Sequence, residues 1–224
     1  MTNGLLIKGL SYPPYLQVAL DMTDIDAAVR TITKLPRSNR LILEAGTPLI
    51  KSAGAKVVKE LRKHSGCRFI VADLKTMDTG KLEADIAFEG GADAATASGC
   101  ASIDTLERFI SGCRDVDIYS IVDCMGVDNP VKKLASLEKL PDIINIHRGI
   151  DGEGENDHLW EKIKFMKARF RGALISVAGG ITADSAPEAL RAGADILVIG
   201  RYITNSRDSF GAAEEILKAM ENSA

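Results

Sequence analysis

Short apolar runs recur along the chain, and each is followed by a polar turn and then by a segment with helical periodicity. Continuous runs rich in Val, Ile and Leu are typical of parallel strands that are covered on both faces. We predict eight strands, at residues 16–20, 40–43, 68–72, 92–97, 118–122, 143–146, 173–177 and 196–199. The helical pattern predicts helices at 25–34, 53–63, 81–89, 105–112, 130–139, 185–192 and 211–220, of which 81–89 is the least regular.

Eight such units in 224 residues predict an α/β protein with a single (β/α)₈ barrel, a TIM barrel, over residues 16–224. Residues 1–15 form an N-terminal extension that packs across the outside or the lower mouth of the barrel. An open doubly wound sheet is the alternative. The barrel is favoured because several strands end in polar residues, and barrel enzymes build their sites at the carboxyl ends of many strands. These residues are Asp21, Glu44, Asp73, Asp123, His147 and Arg201.

Composition and charge narrow the classes of partner. The chain has 46% hydrophobic and 26% charged residues, a net charge of -3 and a pI near 5.7. Its dispersed positive charge predicts neither nucleic-acid nor membrane-surface binding. No apolar run reaches the length of a membrane span and the N-terminus lacks a signal-peptide pattern, so we expect a cytoplasmic location. The irregular spacing of the cysteines predicts buried free thiols at Cys67, Cys100, Cys113 and Cys124.

The segment 73–78, Asp-Leu-Lys-Thr-Met-Asp, places charge where a buried strand should end. Residues two apart on a strand share a face, so Asp73 and Lys75 can point into one cavity while Asp78 lies in the following loop. The alternative is a solvent-exposed ion pair. In a closed barrel Asp21 and Glu44 converge with Asp73, and two carboxylates 4 Å apart repel by roughly 4 kcal/mol at an effective dielectric near 20.

This repulsion predicts a divalent cation. Mg²⁺ prefers one or two carboxylates together with water and substrate oxygens, so Glu44 and Asp73 are the predicted ligands. The alternative is that one carboxylate is protonated or caps a helix.

Two glycine-rich strand ends predict a phosphate site. Gly179 and Gly180 follow the seventh strand, and Gly200 and Arg201 follow the eighth. Glycine lets backbone N–H groups approach an anion, and arginine adds a charge-assisted hydrogen bond. His147, at the end of the sixth strand, can move protons near neutral pH; a core histidine bonded to a carbonyl is the alternative.

With these residues in place, the chain from about Leu16 onward resembles the orotidine 5'-monophosphate decarboxylase suprafamily. The main match is Asp73-x-Lys75-x-x-Asp78 after the third strand, in register with Asp21 after the first. Orotidylate decarboxylases carry a lysine where this chain has Glu44. The chain is therefore similar to the metal-dependent branch, which comprises 3-keto-L-gulonate-6-phosphate decarboxylase and 3-hexulose-6-phosphate synthase.

Three further positions distinguish these two enzymes. The decarboxylase pattern has Glu, Arg and Thr where this chain has Asp123, Ile150 and Ala178, and all three resemble the synthase. The archaeal synthases, including those fused to a formaldehyde-activating partner, are the members that the chain most resembles.

The resemblance implies a reversible, Mg²⁺-dependent aldol reaction, with Mn²⁺ as an alternative cation. Formaldehyde and D-ribulose 5-phosphate would give D-arabino-hex-3-ulose 6-phosphate through a metal-stabilised 1,2-enediolate. It also implies a homodimer with shared active sites. The implied roles are metal binding by Glu44 and Asp73, enediolate binding by Lys75, proton transfer by His147, substrate orientation by Asp21, a catalytic contribution of Asp123, phosphate binding by Gly179, Gly180, Gly200 and Arg201, and a contribution of Asp78 to the neighbouring subunit's site.

Three other functions are alternatives, and the second of them is disfavoured. 3-Keto-L-gulonate 6-phosphate decarboxylase would use the same enediolate. Ribulose-phosphate 3-epimerase needs an early histidine, and the first histidine here is His64. A non-catalytic barrel that binds a sugar phosphate is the third.

Overall fold

The computed structural model describes residues 9–66, 69–148 and 158–222. Its eight strands are all parallel, and they close into a barrel in which each strand pairs with its neighbours in sequence and β8 pairs with β1. The predicted (β/α)₈ barrel is confirmed, and the open doubly wound sheet is wrong.

Helices lie between consecutive strands and cover the barrel. The strands are β1 (Tyr15–Leu20), β2 (Leu41–Ala45), β3 (Ile70–Thr76), β4 (Ala94–Ser98), β5 (Tyr119–Asp123), β6 (Ile143–His147), β7 (Leu174–Ala178) and β8 (Ile196–Ile199). The helices of the described part are α1 (Ile25–Lys34), α2 (Thr47–Ala53), α3 (Val57–Ser65), α4 (Gly80–Glu89), α5 (Ile103–Asp115), α6 (Pro130–Ala135), α7 (Leu159–Arg169), α8 (Ala186–Arg191), α9 (Arg201–Thr204) and α10 (Ser209–Glu221).

The main departures from the predicted elements lie next to the carboxyl ends of strands. β2 and β3 run two and four residues beyond their predicted ends, so Glu44, Asp73 and Lys75 belong to the strands themselves. The predicted helix 53–63 corresponds to α3, which begins only at Val57. The preceding helix α2 was not predicted, and Gly54 at φ +76° ends it before α3 begins. The four-residue helix α9 was not predicted.

The buried apolar residues form two clusters, one outside the barrel strands and one inside them. The larger lies between the strands and the helices. The smaller contains inward-facing residues of the strands, such as Ile42, Val71 and Ile196, and it includes Leu10 beside Tyr15. Leu10 is 3% exposed, so this part of the N-terminal extension packs into the barrel interior.

The cysteine prediction is partly wrong. Cys113 and Cys124 are buried free thiols, but Cys100 is exposed, because it lies in the loop after β4. Burial raises the pKa of Cys124 to about 12. Cys67 lies outside the described residues. Among the described helices, none is both long enough and apolar enough to cross a membrane.

Candidate active site

A cavity of about 490 Å³ opens at the carboxyl ends of the strands. Inward-facing side chains of β1, β2, β3, β5 and β6 meet the glycine turns after β7 and β8 there. The predicted site residues that line the cavity are Asp21, Glu44, Asp73, Lys75, Asp123, His147, Gly179, Gly180, Gly200 and Arg201. Asp78 is not among them. It is exposed, and its carboxylate accepts a hydrogen bond of 2.7 Å from the backbone N–H of Thr79.

Lys75 lies between two carboxylates inside the cavity. Its Nζ is 2.6 Å from Oδ2 of Asp73 and 3.0 Å from Oδ2 of Asp123. The Lys75 side chain is 19% exposed and that of Asp73 is 7% exposed, so the alternative of a solvent-exposed pair is wrong. Burial opposes the charged form, but Asp73, Asp123 and Glu44 outweigh it and hold the pKa of Lys75 above its ordinary value. Lys75 is therefore an ammonium donor at neutral pH.

The backbone of Lys75 is unusual for a strand residue. Its φ is +50°, in the left-handed region, and the pairing of β3 with β4 shifts register between Ala72 and Thr76. Left-handed backbone is strained for a residue with a Cβ atom. This irregularity accompanies the ion pair between Lys75 and Asp73.

Asp123 is the hydrogen-bond acceptor that connects Lys75 on β3 with His147 on β6. Its Oδ2 atom accepts from Lys75, from Nδ2 of Asn145 at 3.1 Å and from Nδ1 of His147 at 2.7 Å. Oδ1 accepts from the backbone N–H of Met125 at 2.8 Å. Burial opposes ionisation, but the His147 hydrogen bond and Lys75 lower the pKa of Asp123 to about 2. The ionised Asp123 holds Nδ1 of His147, so Nε2 is the ring nitrogen left for the cavity.

The remaining carboxylates repel one another. Burial, and then the charges of Asp73 and Asp21, raise the pKa of Glu44 to about 8. Asp21 is exposed at the cavity mouth. Partial burial of its carboxylate by the surrounding protein, and then the charge of Asp73, raise its pKa as well. Burial and the neighbouring carboxylates therefore favour the protonated form of Glu44, as the alternative to a metal site requires.

The donor set nevertheless fits a hard cation. Oδ1 of Asp73 is buried and has no hydrogen-bond partner among the described residues. A buried carboxylate oxygen without a donor is costly unless a ligand reaches it. Within the described ranges no group of three or more His, Cys, Asp or Glu side chains could hold a metal ion. Mg²⁺ does not require such a group, because water and substrate oxygens complete its shell.

The predicted phosphate region is built from two backbone turns. Gly179 and Gly180 have φ values of +98° and +68°. A Cβ atom at Gly179 would lie 2.0 Å from the carbonyl oxygen of Arg148, whose guanidinium donates to the Gly179 carbonyl at 3.0 Å. Gly200 faces Asp21, since a Cβ atom there would lie 3.2 Å from Oδ2 of that residue. Glycine is required at position 179 and brings backbone close to the cavity.

Several polar residues of the site were not predicted from the sequence. They are Gln17, Thr47, Thr96, Asn145 and Ser176, of which all but Thr47 line the cavity. Asn145 and Gln17 lie two and four residues before a predicted site residue, so strand alternation places them on the inward face. The alternation of inward and outward residues could therefore have predicted Asn145 and Gln17 from the sequence. Ile150, which was used to distinguish the two metal-dependent enzymes, lies outside the described residues.

Comparison with known proteins agrees with the fold and the resemblance. The bifunctional enzyme Fae/Hps of Methanocella arvoryzae is 46% identical over 221 residues, which cover 97% of this chain and 56% of that protein. The chain thus spans about half the length of the curated relatives that it matches. A solved structure of 3-hexulose-6-phosphate synthase is 31% identical with a TM-score of 0.82, over 92% of this chain and all of that one.

A second solved structure and a family model extend the agreement. The 3-hexulose-6-phosphate synthase from Salmonella typhimurium is 27% identical with a TM-score of 0.86, over 94% of this chain and all of that chain. The family described as Orotidine 5'-phosphate decarboxylase / HUMPS matches residues 14–216. The resemblance predicted from Asp73, Lys75 and Asp78 is thereby confirmed, and the chain belongs to the Orotidine 5'-phosphate decarboxylase / HUMPS family of enzymes.

Proposed function

We propose that the protein catalyses the reversible aldol reaction of formaldehyde with D-ribulose 5-phosphate, which gives D-arabino-hex-3-ulose 6-phosphate. The observation that carries this proposal is the chain of contacts from Asp73 through Lys75 and Asp123 to His147 in one cavity. The likeness to a solved 3-hexulose-6-phosphate synthase supports it. The relatives named Fae/Hps support it over the half of their length that this chain matches.

The geometry divides the chemistry between two groups. A ketose becomes a carbon nucleophile by losing an α proton, which leaves negative charge on the enediolate oxygens. Because Lys75 stays protonated, it donates hydrogen bonds to such oxygens and does not act as the base. His147 Nε2 is then the group that accepts the proton, and Asp123 fixes its tautomer. Asp123 acts through His147 and Lys75, so its role is positioning.

Two carboxylates would hold a magnesium ion. Asp73 has a buried oxygen without a partner among the described residues, and Glu44 lies on the neighbouring strand, where it pairs with Val71 two residues before Asp73. When bound, the ion would supply positive charge beside substrate oxygens. Asp21, at the cavity mouth between the backbones of Gly46 and Gly200, would orient the substrate hydroxyls.

The phosphate would bind at the glycine turns that follow β7 and β8. Backbone N–H groups around Gly179, Gly180 and Gly200 and the guanidinium of Arg201 would receive it. Binding energy from the non-reacting phosphate would orient the reacting carbon against Lys75 and His147.

We also infer a homodimer with shared active sites. Asp78 is exposed and does not line its own cavity. Exposed apolar side chains precede it in the loop and follow it on α4, at Met77, Leu82 and Ile86, with exposures of 54%, 58% and 39%. Exposed apolar groups of this kind mark interaction surfaces. A second copy of the chain on this surface would cover them and bring Asp78 to the partner's cavity.

The test is a coupled assay in both directions with purified protein and Mg²⁺. We expect hexulose phosphate from ribulose 5-phosphate and formaldehyde, and formaldehyde release in reverse. His147→Gln should lower kcat by about 10²–10⁴-fold, the usual contribution of a positioned proton-transfer group. Carbon dioxide release from 3-keto-L-gulonate 6-phosphate without the aldol reaction would instead identify the decarboxylase. Ligand-dependent stabilisation without turnover of either substrate would identify a non-catalytic binding protein.

A further inference from the structure

Each of the two proposed metal-binding carboxylates has one oxygen held by a neutral donor. Thr47 Oγ1 donates to Oδ2 of Asp73 at 2.7 Å and lies 3.0 Å from the Asp73 carbonyl oxygen. Gln17 Nε2 donates to Oε2 of Glu44. The other oxygen of Asp73, Oδ1, is buried without a partner in the described part of the chain.

The two donors come from rigid parts of the fold. Gln17 lies in the middle of β1, is 4% exposed and shares an inward face with Ala19 and Asp21. Thr47 is the first residue of α2 and follows the turn at Gly46. That turn packs closely against the end of β1, because a Cβ atom at Gly46 would lie 2.1 Å from Oδ1 of Asp21 and only glycine fits there.

The geometry points to Gln17 and Thr47 as positioning residues that each fix one oxygen of a ligand carboxylate, Glu44 and Asp73 respectively, and leave the other oxygen to a divalent cation. This inference rests on the proposed function, because it concerns the metal site of that function. Hydrogen bonds to the non-ligating side of a ligand are known to set its orientation, and their loss lowers metal affinity by about 10–100-fold.

The choice of neutral donors has a physical reason. Lys75 already supplies one positive charge to Oδ2 of Asp73, and the carboxyl groups of Asp21, Glu44 and Asp73 line the same cavity. A hydroxyl and an amide orient the carboxylates without adding positive charge that would compete with the cation. A fourth carboxylate at position 17 would add to the repulsion.

The experiment measures binding of Mg²⁺ alone, by calorimetry, to chelator-treated protein without substrate. Thr47→Val keeps the shape of the side chain and removes the hydroxyl, whereas Thr47→Ser keeps the hydroxyl. Gln17→Met keeps the length and removes the donor. Thr31→Val, on α1, is the control, because the Thr31 hydroxyl bonds only to a carbonyl of its own helix among the contacts described.

We expect Thr47→Val and Gln17→Met each to raise the Kd for Mg²⁺ by about 10–100-fold, with Thr47→Ser and Thr31→Val within about threefold of the wild-type value. Thermal unfolding of the metal-free variants checks that they are folded. If Gln17→Met does not fold, the comparison of Thr47→Val with Thr47→Ser still tests the inference. Equal affinities in the wild-type protein, Thr47→Val and Gln17→Met would overturn this inference alone. Absence of Mg²⁺ binding by the wild-type protein would overturn both the inference and the proposed metal site, and aldol turnover would then show whether the rest of the proposed function survives.

Discussion

Asp123 shows how one buried charge can organise a site. Three donors from two other strands, Lys75 on β3 and Asn145 and His147 on β6, converge on a single oxygen of this residue. Asn145 is held in turn by Ser176, whose Oγ lies 2.9 Å from its Oδ1. Because the Asp123 carboxylate is 1% exposed, removing its charge leaves the ammonium of Lys75 with one carboxylate fewer and His147 without its partner.

The lowered pKa of Asp123 predicts a pH-dependent loss of stability. A carboxyl whose pKa falls from 3.8 to about 2 on folding stabilises the native state fully above pH 3.8, and this contribution disappears as the pH falls toward 2. The shift corresponds to about 2 kcal/mol. In urea unfolding, Asp123→Asn should therefore be less stable than the wild-type protein at pH 7, by a difference that shrinks below pH 3.8.

Asp26→Asn is the matched control, since it removes one negative charge at an exposed position of α1. A stability difference for Asp123→Asn that stays constant from pH 7 to pH 3 would contradict the assigned role of the Asp123 charge.

At the scale of elements, the turn between β7 and α8 is determined by its neighbour after β6. The backbone N–H of Arg148 donates to the carbonyl of Ala178 at 3.0 Å, and its guanidinium donates to the next carbonyl, that of Gly179. The two strand ends are thereby tied together where the proposed phosphate site begins. The Gly179 backbone lies so close to Arg148 that a side chain cannot fit between them.

Gly179→Ala should therefore distort this turn. We expect a stability loss of about 1–3 kcal/mol from the left-handed backbone alone and an increase in KM for ribulose 5-phosphate. Gly172→Ala is the control, because Gly172 lies in the turn before β7, has no positive φ, and has open space within 4 Å of where its Cβ atom would lie. Similar urea unfolding curves and KM values for both variants would contradict the constraint at Gly179.

The strands and the site differ in how far the sequence predicts them. All eight strands appear in the pattern because each is a buried run of Val, Ile, Leu or Ala, and burial is read directly from composition. The polar residues at the strand ends predict most of the cavity lining, because barrel enzymes build their sites at the carboxyl ends of the strands. Helix α2, which ends at Gly54, the hydroxyl of Thr47 and the backbone of Lys75 were missed, since each depends on contacts between segments or on a local conformation that the apolar pattern does not record.

At the scale of the whole molecule, the proposed dimer can be tested on α4. Leu82 and Ile86 are four residues apart, so they share one face of this helix, and the loop before it carries Met77. Leu82→Glu places a charge on that face. We expect the wild-type protein to sediment as a dimer and Leu82→Glu as a monomer with reduced aldol activity.

Phe165→Glu on α7 controls for the loss of an exposed apolar side chain elsewhere, since Phe165 is 56% exposed. A monomeric wild-type protein, or a Leu82→Glu variant that remains a fully active dimer, would contradict the proposed interface.

The left-handed backbone of Lys75 sets catalysis against folding at a single position. A non-glycine residue in this conformation is destabilised by about 1–2 kcal/mol, a penalty that glycine escapes. Lys75→Gly and Lys75→Ala both lose the amine and should both be inactive, but the glycine variant should unfold at the higher urea concentration. A search for thermostable variants that ignored activity would therefore prefer glycine over alanine here, whereas selection for turnover keeps a long cationic side chain on a backbone conformation that suits glycine.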